Sequence, residues 1–129
     1  MLRESGAAPL VLSVDDAEDT RELYAEPFER AGFRVAQAVD GDHALWKVRS
    51  TPPDVVVMDL AMPVLDGWAA TREIKSSPKT KHIVVIALSG QATESELERA
   101  REAGADLVLT KPCAPDALLQ IVQRALGQA

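Results

Sequence analysis

The chain has 129 residues, 47% hydrophobic and 26% charged, the composition of one compact domain with material for a real core and no room for a second. A formal net charge of -6 excludes the clustered Lys and Arg surface that direct nucleic-acid binding needs. The single cysteine, Cys113, permits no internal disulfide, the opening M-L-R-E-S-G-A-A-P lacks the apolar core of a signal peptide, and no run is long enough to span a bilayer, so a cytoplasmic protein without membrane attachment is expected.

The first apolar run, Leu10 to Val14, is short and bounded by Pro9 and Asp15, and it reads as a buried strand. A helical stretch from Ala17 to Ala31 follows. Pro27 lies inside it, where the missing N–H removes a bond to the Leu23 carbonyl at a cost of about 3 kcal/mol, so a kink or break is expected there. Gly32 then supplies a residue that tolerates positive φ, the usual way to close a helix. Val35 to Val39 reads as the second strand. In the next helix Leu45 and Val48 suit the core face, which leaves the Trp46 indole partly outside, and edge packing is the simplest account of it. Val55 to Met58 is the third strand. Asp66-Gly67 opens the third helix, and Trp68 in its first turn is expected to pack beside the loop after Asp59. Ile83 to Leu88 is the fourth strand, and Leu97 and Ala100 share one face of the helix that ends near Gly104. Leu107 to Leu109 is the fifth. Leu118, Ile121, Val122 and Ala125 line one face of the last helix, which Gly127 closes. Strands that do not alternate and are separated by helices imply a parallel sheet covered on both faces, a doubly wound α/β fold.

In such a sheet, ligands gather beyond the carboxyl ends of the strands. The first strand ends on Asp15 and Asp16, the third on Asp59, the fourth on Ser89 and the fifth on Lys111, so three carboxylates, a hydroxyl and an amine meet at one edge. Two carboxylates about 4 Å apart repel by about 4 kcal/mol at an effective dielectric near 20, and one lysine neutralises a single charge. A divalent cation answers the remainder, and an all-oxygen set suits Mg²⁺ better than zinc. A nucleophilic carboxylate beside a cation, a lysine and a hydroxyl is equipped for phosphoryl transfer onto an aspartate.

Four motifs, V-D-D at Asp15-Asp16, M-D-L-A-M-P-V-L-D-G around Asp59, A-L-S-G at Ser89 and L-T-K-P at Lys111, resemble the receiver domain of two-component response regulators, from about Leu10 to Leu126. The resemblance implies a flavodoxin-like, five-stranded sheet of order 2-1-3-4-5 forming a single receiver domain over residues 1–129. It implies that Asp59 is the phosphoacceptor, Asp16 a direct Mg²⁺ ligand, Asp15 an acid holding the metal through water, and the Ala61 backbone carbonyl a further ligand. It implies also that Ser89 is the switch hydroxyl, that Lys111 pairs with the acceptor and then the phosphate, and that Lys111-Pro112 is cis. One position departs: receivers usually carry Tyr or Phe three residues before the lysine, and here it is Val108, a stiff β-branched side chain with no ring to swing. Weaker coupling to the face of the last two helices, or coupling through the loop after Ser89, is expected.

Taken singly, each motif has a plainer reading. An acidic pair after a strand is often a helix cap with a solvated charge, and Ser89-Gly90 could be an ordinary strand-to-loop junction. Joint placement at one sheet edge favours the site. Cys113 is expected to pack as a small hydrophobe, and His43 and His82 to lie outside the cluster. The phosphatases of the haloacid-dehalogenase type resemble D-x-D after a strand, and Ala61 stands where the second acid would be. An inert scaffold is disfavoured because every site residue is present. The expected partners are a histidine kinase or histidine phosphotransfer protein and an unnamed downstream protein. The expected state is a monomer or weak dimer, a stand-alone regulator or a receiver excised from a hybrid kinase, with no enzymatic activity beyond self-catalysed phosphotransfer and autodephosphorylation.

Overall fold

The structure, a computed structural model, describes residues 8–60, 66–90 and 93–127. Along them five strands alternate with five helices: β1 (Leu10–Val14), α1 (Glu18–Arg30), β2 (Arg34–Ala38), α2 (Gly41–Ser50), β3 (Val55–Asp59), α3 (Gly67–Ser76), β4 (Val84–Ser89), α4 (Glu94–Glu102), β5 (Leu107–Thr110) and α5 (Pro115–Ala125). All strand pairs are parallel, in the order β2-β1-β3-β4-β5. The chain therefore winds outward in both directions from β1 and β3, and the direction reverses between them.

Each strand sends alternate side chains to opposite faces. Leu12 and Val14 of β1 and Val56 and Met58 of β3 meet α2 and α3 through Leu45, Val48 and Ile74. Val11, Val55 and Val57 meet α1 and α5 through Tyr24, Phe28, Leu118 and Val122. A smaller cluster under α4 joins Leu60, Ala87 and Ala100 with the partly buried Trp68 and Val108. The uninterrupted burial of β1 and β3 explains why these strands show no alternation in the sequence.

Strand limits differ by a residue from those expected. β2 starts at Arg34 because its amide donates to the Pro9 carbonyl at 2.9 Å, and β4 starts at Val84 rather than Ile83. Backbone pairing, to which side-chain pattern is blind, sets these ends. Gly32, Gly104 and Gly127 have φ of 93°, 97° and 78°, as helix closure requires. Asp40, Asp66 and Thr93 cap α2, α3 and α4 by accepting the amides of His43, Ala69 and Glu96.

Pro27 does not break α1. The helix runs to Arg30, and its last turn closes through the Ala31 amide on the Pro27 carbonyl at 3.0 Å. Tyr24, Ala25, Pro27 and Phe28 are buried. Burying Phe28 alone contributes about 1.5–3 kcal/mol, so packing offsets the lost hydrogen bond. Pro27→Ala restores the bond but thins the packing, and is expected to raise stability by about 1–2 kcal/mol in urea denaturation. Unchanged or lower stability would show that the ring's packing outweighs the bond.

Trp46 is 65% exposed beside buried Leu45 and Val48, His82 is on the surface, and Cys113 packs against the α1 and α5 cluster, as expected.

Candidate functional site

At the reversal point, β1 and β3 end side by side, and the register that pairs Val14 with Met58 brings Asp15 and Asp59 together. Both are buried, at 4% exposure each, while Asp16 faces solvent. Each of the three offers a carboxylate oxygen, and these oxygens lie within 4.8 Å of one another. The Lys111 ammonium bridges two of them, 3.3 Å from Asp15 Oδ2 and 3.3 Å from Asp59 Oδ1.

Asp15 Oδ1 accepts the Ala17 amide at 2.9 Å, a turn leading into α1 rather than a helix cap, since the N-cap residue Ala17 takes no side-chain cap bond. The plainer cap reading of the acidic pair therefore does not hold for Asp15. Its amide donates to the Ala38 carbonyl at 3.1 Å, and its own carbonyl accepts Arg21 Nη1 at 2.8 Å. Arg21 reaches on to Gln37 Oε1 at 3.1 Å and so ties the acidic loop to β2. The opposite wall is held comparably. The Lys111 amide donates to the Ser89 carbonyl at 2.7 Å, and the Tyr24 hydroxyl donates to the Cys113 carbonyl at 2.8 Å. The Lys111-Pro112 bond is cis, as the resemblance implied.

Burial by itself pulls the Lys111 pKa down, but the charges of Asp59 and Asp15 overcome it and hold the ammonium above its ordinary 10.5. A raised lysine stabilises the fold at every pH below the unfolded value of about 10.4, and that contribution fades only as pH rises through the folded value. Lys111 is therefore a fixed cation throughout the neutral range. It answers one of the three carboxylate charges, and the all-oxygen donor set that remains fits a hard divalent cation.

Ser89 ends β4 fully buried, and its hydroxyl donates to Glu96 Oε2 of α4 at 2.8 Å. Gly67 sits against the acceptor strand: a Cβ there would collide with the Asp59 carbonyl oxygen and stand 2.7 Å from Leu60 Cα. Trp68 packs as expected in the cluster that contains Val108, and the Arg99 guanidinium lies 3.9 Å above its ring centroid. The Ala61 carbonyl lies outside the described residues. Sequence reasoning brought Asp15, Asp16, Asp59 and Lys111 together correctly. It missed Arg21, Tyr24 and Glu96. For Glu96 alone there was a signal, the T-E-S-E capping box at Thr93.

The model of the response regulator receiver domain matches residues 11–123. The polar-differentiation response regulator DivK of Brucella anthropi is 29% identical, over 92% of this chain and 97% of its own. Among solved structures, the chemotaxis protein CheY4 of Vibrio cholerae superposes with a TM-score of 0.85 at 30% identity, covering 92% of this chain and 98% of that one. The receiver domain of a sensor histidine kinase from Pseudomonas aeruginosa has a TM-score of 0.85 at 31% identity, over 95% of this chain and 100% of its own. That structure holds a magnesium ion coordinated in its active site cleft.

Proposed function

The chain belongs to the response regulator receiver family, and from that premise we propose that Asp59 accepts a phosphoryl group from the phosphohistidine of a histidine kinase or phosphotransfer protein. The observation that carries this reading is the Asp15, Asp16 and Asp59 cluster closed by Lys111. In the transfer an Asp59 carboxylate oxygen attacks phosphorus, the bond from phosphorus to the donor's imidazole nitrogen breaks, and the nitrogen leaves with the electron pair. Asp15, Asp16 and Asp59 would hold Mg²⁺. That ion supplies positive charge without which an anionic donor meets an excess of carboxylates.

Lys111 moves from pairing with the Asp59 carboxylate to pairing with the phosphoryl oxygens, a short displacement since it already lies between Asp59 and Asp15. Ser89 donates its hydroxyl to another of those oxygens. Arg21 and Tyr24 hold the two walls of the site in place. The chain acts on itself and turns over no second substrate, and its output is a change in affinity for a protein partner. No helix among the described residues is long and apolar enough to cross a membrane.

Incubation with acetyl phosphate tests the reading. Phosphoryl uptake is expected with Mg²⁺ and is lost in EDTA, while Lys111→Ala keeps the fold and slows uptake by roughly a hundredfold, the scale of losing one preorganised charge. Uptake that survived EDTA, or a Lys111→Ala rate equal to wild type, would contradict it.

A further inference from the structure

Ser89 and Glu96 lie seven residues apart and meet between the end of β4 and the first turn of α4, where the Ser89 hydroxyl donates to Glu96 Oε2 at 2.8 Å. Taking Asp59 as the phosphoacceptor, on which this inference rests, we propose that Glu96 is a positioning residue that holds the Ser89 hydroxyl toward α4 and is displaced when Asp59 is phosphorylated.

A hydroxyl has one proton and donates it to one strong acceptor at a time, so the Glu96 carboxylate and a phosphoryl oxygen compete for it. Ser89 is fully buried, so water is a poor third partner. A phosphoryl group brings about two negative charges and three strong acceptor oxygens, which favours the phosphate in that competition and also repels the Glu96 carboxylate. What Glu96 does on release is written in its own helix. Thr93, Glu94, Ser95 and Glu96 have the capping-box pattern, and Thr93 Oγ1 already accepts the Glu96 amide at 3.2 Å. In a complete box the glutamate side chain turns back to the cap residue's amide. Here that side chain is drawn off to Ser89 instead. Release lets it close the box on Thr93, so the serine's proton and the first turn of α4 change partners together.

This exchange joins the acceptor site to α4 without a ring on β5. Val108 and Ala87 are registered neighbours in the cluster beneath α4, and neither can signal by a large rotamer change. The Ser89 to Glu96 bond is a polar contact through which the site reaches the helix. Because phosphorylation must break it, the bond lowers the affinity of the resting protein for a phosphoryl group or its mimic.

The test is a double-mutant cycle read by beryllofluoride affinity in saturating Mg²⁺, measured by calorimetry. Glu96→Ala is expected to bind beryllofluoride roughly ten- to a hundredfold more tightly than wild type, the net scale of one hydrogen bond to a charged group. Glu96→Gln keeps a neutral acceptor and is expected to fall between, which also guards against a misfolded alanine variant. In a Ser89→Ala background the gain from Glu96→Ala should shrink below roughly twofold, leaving only the screened through-space charge. Equal gains in both backgrounds, or no gain in either, would overturn the role of Glu96 while leaving Asp59 as acceptor. A wild type that binds no beryllofluoride would overturn both.

Discussion

Asp59→Asn is expected to abolish phosphoryl uptake from acetyl phosphate while leaving the fold at least as stable as wild type in EDTA. An amide is neutral and forms no acyl phosphate, so the chemical step has no nucleophile at that position. The stability half follows from the same charges. Removing Asp59 deletes its attraction to Lys111, 3.3 Å away, but also its repulsion from Asp15 and Asp16, whose oxygens lie within 4.8 Å. At about 4 kcal/mol per pair at 4 Å and an effective dielectric near 20, two repulsions outweigh one attraction. Lys111 keeps its partner in Asp15 at 3.3 Å. Urea denaturation in EDTA and Phos-tag electrophoresis after acetyl phosphate check the two halves separately. Undiminished uptake would remove Asp59 from its role, and a marked loss of stability would mean that the carboxylates are not in mutual conflict.

Gly67→Ala is expected to be the most destructive small substitution near the site. The added methyl would collide with the Asp59 carbonyl oxygen and meet Leu60 Cα at 2.7 Å, and both are backbone atoms that cannot rotate aside. Either α3 must lift or the end of β3 must shift. Overpacking against backbone costs about 3 kcal/mol, and the shift is passed to Asp59, the last residue of β3. A large drop in urea midpoint is expected together with weaker Mg²⁺ binding in a titration. A variant with the wild-type midpoint would show that α3 does not press on the acceptor strand as described.

Much of the site was legible because it is local to strand ends. A carboxylate directly after an apolar run, as at Asp15 and Asp59, is visible without knowing the fold, and the parallel class then places those ends along one edge. The contacts that escaped reading depend on how closely helices approach. Nothing in the spacing of Arg21 says that its guanidinium returns to the Asp15 carbonyl, and nothing near Arg99 says that it covers Trp68. Glu96 is the instructive case: the capping box was present in the letters, but the partner its side chain takes is set by α4 lying over the end of β4. Pro27 shows the converse error, where a local cost was expected to break the helix but α1 runs on to Arg30 with Tyr24 and Phe28 packed in the core.

Of the three crowded carboxylates, Asp59 alone is expected to become an acyl phosphate, and borohydride mapping of the phosphorylated wild type identifies the residue that does. Borohydride delivers one hydride to the acyl carbon and phosphate leaves, then a second hydride and a proton from water reduce the resulting aldehyde, so the aspartate becomes homoserine, a change that peptide mass spectrometry assigns to a residue. Homoserine at position 59 alone is the predicted result. Homoserine at Asp15 or Asp16, or phosphate held on His43 or His82 with no homoserine formed, would contradict the account.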